Sequence, residues 1–276
     1  MYRDRIDLLN IHMCALNPVD ASRYGLSNWS LAPLQRHEDM RQNPELTRAL
    51  RTVFRDMGVQ RAFAPNVAPA SAAIVDTNDL SDRIELAEEV SLYRRKEIPA
   101  DGVFLKSGEA FLMSAAGCPV IIATAGTQVI VAHGARDSLI DRGAVIGSPS
   151  RKHGSIVDAI VEAFENKGTA TNEILLCMLL SIPTRAFEHR FDHPQYGAYN
   201  RTLFDYINRR WHGCTAHTTS ESMFLDLESV FMEQARSLGV RQVWATYSLA
   251  HYPAFAHTRD GHSPHRRNLI LVKHSN

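Results

Sequence analysis

A thiol and an imidazole stand where a short hairpin could bring them together. Cys118 sits in Ser114-Ala115-Ala116-Gly117-Cys118-Pro119, between two apolar runs. Small residues before it and a proline after it leave room around the sulfur. His133 ends a later apolar run, in Val131-Ala132-His133-Gly134-Ala135, 133 − 118 = 15 positions on. A hairpin of that length sets the start of one strand beside the end of the next. A neighbouring base or cation favours thiolate, the form that attacks carbon. The same two residues also read as a small buried hydrophobe and a strand-end histidine, because buried cysteines are common. Spacing alone leaves both readings open.

The elements around the pair are the most patterned part of the chain. Ala110 to Met113 and Pro119 to Ala123 are apolar runs of strand length. Gly126-Thr127 then leads into Gln128 to Ala132, so the second and third runs read as a hairpin. Both of its strands are apolar on successive positions, which predicts a sheet covered on both faces. Asn43 to Gly58 reads as a helix, opened by Asn43-Pro44-Glu45 and carrying Leu46, Leu50, Val53 and Met57 on one face. Ser155 to Asn166 is a second amphipathic helix, closed by Lys167-Gly168. Ser222 to Leu238 reads as a third helix, stopped by Gly239. Ile174 to Leu180 reads as a buried strand or short helix; Gln242 to Tyr247 and Asn268 to Lys273 read as strands. Ala62 to Ala73 reads as loop and short strand, and Leu80 to Arg95 is left open. Helices and strands mix throughout, which predicts an α/β or α+β fold, a layered sheet flanked by helices, as one domain over 1–276.

Composition narrows the classes. The chain has 276 residues, 45% hydrophobic and 22% charged, enough for a sizeable core. Lys+Arg and Asp+Glu are both 30, so there is no electrostatic footprint for nucleic acid and no polybasic run for a membrane surface. No segment approaches the roughly 20 apolar residues that span a bilayer, and the start lacks the pattern of a signal peptide. A cytoplasmic protein with a small-molecule substrate is the expectation; the oligomeric state is left open. The four cysteines, Cys14, Cys118, Cys177 and Cys214, form no CxxC pair and read as reduced thiols.

Histidine is abundant, 13 in all. His212, Cys214 and His217 lie close together but match no strong zinc spacing. His251, His257, His262 and His265 fall near the C-terminus with Arg259, Arg266 and Arg267, in what reads as a polar loop before a last strand. Glu188-His189, Asp192-His193 and Tyr196 to Tyr199 read as a polar, aromatic loop, either solvated or a lid.

A cysteine in a small-residue turn, an apolar strand, then a strand ending in His-Gly resembles the core motif of the laccase-domain (polyphenol-oxidase-like) family. The resemblance runs along nearly the whole chain. Tyr24-Gly25-Leu26-Ser27-Asn28-Trp29-Ser30-Leu31 looks like the family's N-terminal region, and Ala100-Asp101-Gly102-Val103 like the segment before its cysteine strand. Leu225-Asp226-Leu227 with Gly239-Val240 looks like its late helix. Phe255-Ala256-His257-Thr258-Arg259-Asp260-Gly261, then Arg266-Arg267 and Leu269-Ile270, resembles its terminal signature. The family is linked to purine nucleoside chemistry and holds zinc or copper with a His-Cys-His triad. Here Asn66-Val67-Ala68-Pro69 puts Ala68 where the first histidine stands, so Cys118 and His133 remain as two metal donors without the third. Gly117 replaces the family's aspartate, and Arg136 lies near the position of its Trp-Arg. A shorter resemblance, from Ser114 to Gly134, is to the cytotoxic necrotizing factor deamidases, which hydrolyse a glutamine side-chain amide with a Cys-His pair.

These resemblances imply an enzyme acting at a C–N bond, with Cys118 as nucleophile and His133 as base and then acid. Gly117 and Cys118 would supply backbone donors to the oxyanion. Arg136 and Arg259 would bind substrate, Arg259 through a phosphate or carboxylate. The substrate would be a purine nucleoside, by phosphorolysis or deamination, or else a glutamine amide on a protein. A binding protein that has lost catalysis is a further reading. So is a metalloenzyme whose third ligand comes from His257 or the His212 cluster.

Overall fold

Asn43 starts the first long helix as its side chain predicts: its Oδ1 accepts from the backbone N–H of Leu46 at 3.1 Å. The computed structural model describes residues 2–6, 11–16, 24, 31–35, 37–67, 70–246 and 267–275. Its helices are α1 (Ala32–Gln35), α2 (Pro44–Asp56), α3 (Arg136–Leu139), α4 (Arg142–Val145), α5 (Ile156–Glu165), α6 (Gly197–Arg210) and α7 (Leu227–Ser237). The first strands are β1 (Tyr2–Ile6), β2 (Ile11–Leu16), β3 (Arg61–Phe63), β4 (Ile74–Asp76), β5 (Asp82–Ala87), β6 (Val90–Arg94), β7 (Gly102–Leu105) and β8 (Glu109–Ala115). Then come β9 (Val120–Ala125), β10 (Gln128–His133), β11 (Leu175–Leu179), β12 (Glu188–Arg190), β13 (Thr215–Thr218), β14 (Ser222–Leu225), β15 (Gln242–Thr246) and β16 (Asn268–His274).

The strands form two large mixed sheets and one small one. One has seven strands in the order β1-β2-β16-β8-β3-β6-β5, the other six in the order β15-β11-β9-β10-β7-β4. The small sheet is β12-β14-β13. Alternation along the strands separates two cores. Ile11, Met13 and Ala15 of β2 join Phe111 and Met113 of β8 in the cluster that also contains β9 and β10. Cys14 and Leu16, with Ala110 and Leu112, join Leu46, Leu50, Val53 and Phe54 of α2 on the other side. The order is therefore helix, sheet, sheet, helices, the mixed layered architecture expected. Among the described residues no helix is long and apolar enough to cross a membrane.

The predicted hairpin is β9–β10, antiparallel, with Gln128 opposite Ala125 and His133 opposite Val120. Every residue of β9 is buried, as expected for a sheet covered on both faces. The second helix begins with a capping box: Ser155 Oγ accepts from Asp158 N–H and the Asp158 carboxylate accepts from Ser155 N–H. Leu175–Leu179 is a strand, and Leu80 to Arg95 contains the β5–β6 hairpin.

Two expectations are corrected. Residues 222–238 are not one helix. Ser222–Leu225 is strand β14, paired on both edges, and α7 starts only after Asp226, whose carboxylate caps it from Ser229 N–H at 2.9 Å. The cap residue carries the boundary that apolar spacing hides. Residues 188–199 are not a free loop either. Glu188–Arg190 pairs with β14, and Gly197 opens α6 with its missing Cβ facing the Phe191 carbonyl at 2.3 Å, where no side chain fits.

Candidate active site

Cys118 lies in the turn that carries the chain from β8 in the seven-stranded sheet to β9 in the six-stranded sheet. Gly117 before it has φ +97°, a left-handed conformation that other residues rarely adopt. That turn leaves the Cys118 side chain half-buried. The hairpin register sets His133 across from Val120, and the Pro119 carbonyl accepts from Gly134 N–H at 2.8 Å. The Cys118 thiol and the His133 imidazole are close enough for each to act on the other's charge.

A third group completes the chain. Asp101, fully buried, directly precedes β7, which runs antiparallel to β10 with Gly102 opposite Ala132. His133 N–H donates to the Asp101 carbonyl at 2.8 Å, so the two side chains share one end of the sheet. The Asp101 Oδ1 is 3.0 Å from His133 Nδ1. Ser138 Oγ, from α3, donates to the same oxygen at 2.9 Å and lies 3.3 Å from Nδ1. Ala72 N–H donates to Oδ2 at 2.6 Å. Ala72 holds φ +48°, an uncommon conformation for alanine, and in it presents that N–H to the carboxylate. With Nδ1 given to Asp101, the Nε2 edge is left for the sulfur.

The electrostatics favour an ion pair. Burial opposes charge on Cys118, but the charge and hydrogen bond of His133, then the charge of Arg267, hold the thiol below its ordinary value. Arg267 directly precedes β16, whose Asn268 pairs with Ala115 at the end of β8. Burial opposes the imidazolium too, yet the Cys118 charge and the hydrogen bond to Asp101 carry His133 well above its ordinary value. Thiolate and imidazolium thus support each other.

Arg136 stands at the N-terminus of α3, half-buried, and its charge acts on Cys118. Its Nε donates to Asp137 at 2.7 Å. Behind the site, Arg151 donates to the carbonyls of Ala70, Asp137 and Ser138 at 2.6, 2.6 and 3.0 Å, tying the Ala72 segment to α3. Cys118, His133, Gly117 and Arg136 are therefore brought together. Arg259 and Ala68 lie outside the described residues, as do His257 and its neighbours. Asp101, Ser138 and Arg267 were not singled out as site residues from the sequence. Asp101 had one signal, its place in the Ala100-Asp101-Gly102-Val103 segment that resembles the family's.

A three-ligand metal centre does not fit the described residues. Cys118 and His133 supply only two donors, and His133 Nδ1 is engaged by Asp101. No group of three or more His, Cys, Asp or Glu among the described residues is placed to hold an ion. Cys214 is a buried thiol pushed up to about 11, first by burial and then by Glu233 and Asp226.

No family model matches the sequence, and the curated proteins contain no significant relative. Solved structures do match. NMB0706 of Neisseria meningitidis, a DUF152 protein, aligns over 100% of this chain and 99% of its own, with TM-score 0.63 and 14% identity. The chain has the DUF152 fold. YlmD of Geobacillus stearothermophilus matches with TM-score 0.64 and 13% identity over 97% of this chain and 93% of its own. YfiH of Bacillus licheniformis matches with TM-score 0.59 and 13% identity over 83% and 80%. At 13–14% identity these matches carry the likeness in fold.

Proposed function

We propose that this protein is a hydrolytic enzyme in which Cys118 attacks a trigonal carbon that bears an amino group. The observation that carries the reading is the chain Asp101–His133–Cys118, with its carboxylate fully buried and held by three donors. The thiolate forms the C–S bond, and the carbon's π pair moves to its oxygen or ring nitrogen. Backbone N–H groups of Gly117 and Cys118 would be the donors to that developing charge. His133 Nε2 gives its proton to the leaving nitrogen, the C–N bond breaks and ammonia departs. Water then attacks the carbon, His133 takes its proton, and the C–S bond breaks to return the thiolate. Asp101 holds the ring in orientation and supports its charge. Arg136, whose charge acts on Cys118, would contact substrate, and Arg259 keeps that role only through the family resemblance.

The resembled families suggest the substrates. The amino group of a purine nucleoside and the side-chain amide of glutamine both present NH2 on a trigonal carbon. Nucleoside phosphorolysis gives a thiolate nothing to attack, since phosphate is then the nucleophile; the geometry favours deamination. A protein that only binds has no use for a locked carboxylate behind the imidazole, which favours the enzyme over the scaffold.

The test is ammonia release from adenosine and from a glutamine peptide, with intact-mass analysis of the protein. Release that disappears in Cys118→Ala, with an adduct on wild-type Cys118, supports the reading. No release from either substrate and no adduct on Cys118 contradicts it.

A further inference from the structure

A cavity of about 580 Å3 shares Arg136 with the thiol. Its walls include Arg142, Arg190, His189, Tyr196 and Asn200. Two of these are more than nine-tenths buried and each has a polar atom without a hydrogen-bond partner: His189 Nε2, with the residue 7% exposed, and Asn200 Oδ1, with the residue 4% exposed. Buried polar atoms are seldom left unpaired without a reason. Asn200 Nδ2 already donates to the Arg190 carbonyl at 2.7 Å, which fixes the amide so that its buried oxygen is the end without a partner. A ligand that gives Asn200 a donor would complete it.

The charge of the walls indicates what else that ligand carries. α6, fourteen residues long, begins here; His193 accepts from Tyr196 N–H through Nδ1 and from Gly197 N–H through its carbonyl, and the N-cap Tyr196 adds no side-chain cap for the N–H groups that follow. The lining holds three arginines, Arg136, Arg142 and Arg190, against two acids, Asp137 and Glu188. Asp137 takes Arg136 Nε at 2.7 Å but stands 3.9 Å from Arg142. Asp192 takes Arg190 at 2.6 Å. Arg142 is left as the cation least engaged, laid against the Tyr199 ring at 5.1 Å, with Arg136 against the same ring at 5.6 Å. Burial, and then the charge of Arg136, hold His189 down to about 3, so its imidazole is neutral and competes for no anion.

We infer that this cavity is an anion subsite holding a carboxylate or phosphate of the substrate, with Arg142 and the start of α6 on the anion and Asn200 on a neighbouring hydroxyl or N–H. The inference rests on reading Cys118 as the nucleophile. It narrows the substrate to one whose amino-bearing carbon is tethered to an anionic group.

Two matched pairs of probes test it by calorimetric titration into Cys118→Ala protein, which cannot turn them over. AMP against adenosine reads a phosphate; L-glutamine against L-glutaminamide reads a carboxylate. The anionic member of at least one pair should bind about tenfold more tightly, or about 1.4 kcal/mol. The pair that shows the preference names the anion. Arg142→Ala, at an exposed position, should abolish the preference. Equal affinity within both pairs, no binding of either anionic member, or a preference that survives Arg142→Ala overturns the subsite. Cys118 alkylation in the wild type is read separately. An inert thiol with the anion preference intact removes the nucleophile and leaves an anion site; a reactive thiol without the preference removes the subsite alone.

Discussion

Asp101 accepts from three groups, and they are not equal in what they do. The His133 Nδ1–H bond lifts the imidazole toward its charged form, and the imidazolium in turn favours thiolate on Cys118. Ser138 and Ala72 instead hold the carboxylate in place. Asp101→Asn keeps the shape but ends the support for charge. It should cut turnover by about 10²–10⁴-fold and move the Cys118 titration upward toward the ordinary thiol. Ser138→Ala removes one hydrogen bond to the carboxylate, worth about 1.5–3 kcal/mol, but leaves the Asp101 charge in place, and should move both readouts in the same direction by much less. Steady-state rates and site-resolved alkylation of the two variants check the ranking; equal effects from both would contradict it.

The positions of these groups come from strand register, and one glycine shows how tight it is. A Cβ on Gly102 would meet Ile74 Cδ1 at 2.6 Å, Ala132 Cβ at 2.7 Å and the Val131 carbonyl at 3.1 Å. Two of these neighbours are on β10 and one is on β4, so β7 cannot make room without leaving a partner strand. Gly102→Ala should cost about 1–3 kcal/mol by overpacking and displace Asp101 from His133. Urea unfolding and the Cys118 titration check both parts; a variant of wild-type stability would show that β7 has slack. This element also shows what a sequence can and cannot reveal. The β9–β10 hairpin was legible because its strands are neighbours joined by Gly126-Thr127, and it alone brings Cys118 to His133. Asp101 is 32 residues from His133, joined to it by a strand pairing with no local mark. The β14–α7 boundary was missed because apolar residues continue through it and only the Asp226 cap marks the change.

At the scale of the molecule, the site sits on the seam between two sheets. Asp101 and His133 belong to the six-stranded sheet, Arg267 leads into the seven-stranded one, and Cys118 is on the turn between them. Fold class and layering were legible, because the runs of buried strand and the amphipathic helices α2 and α5 each declare a face. The convergence of Arg267 and Arg136 on the thiol was not, because it needs the sheets stacked first. The central claim is that this stacking makes Cys118 a thiolate. A lowered thiol value means that alkylation rises with pH through a midpoint below the free-cysteine value of about 8.5. A raised His133 value means that the imidazolium persists through the same window. The most direct measurement is therefore site-resolved alkylation of Cys118 by iodoacetamide across pH, in wild type and in His133→Ala. The account predicts a wild-type midpoint well below 8.5, and in His133→Ala a midpoint at or above it, because burial then loses its chief opponent. A wild-type midpoint at the free value, or a profile indifferent to His133, would contradict it.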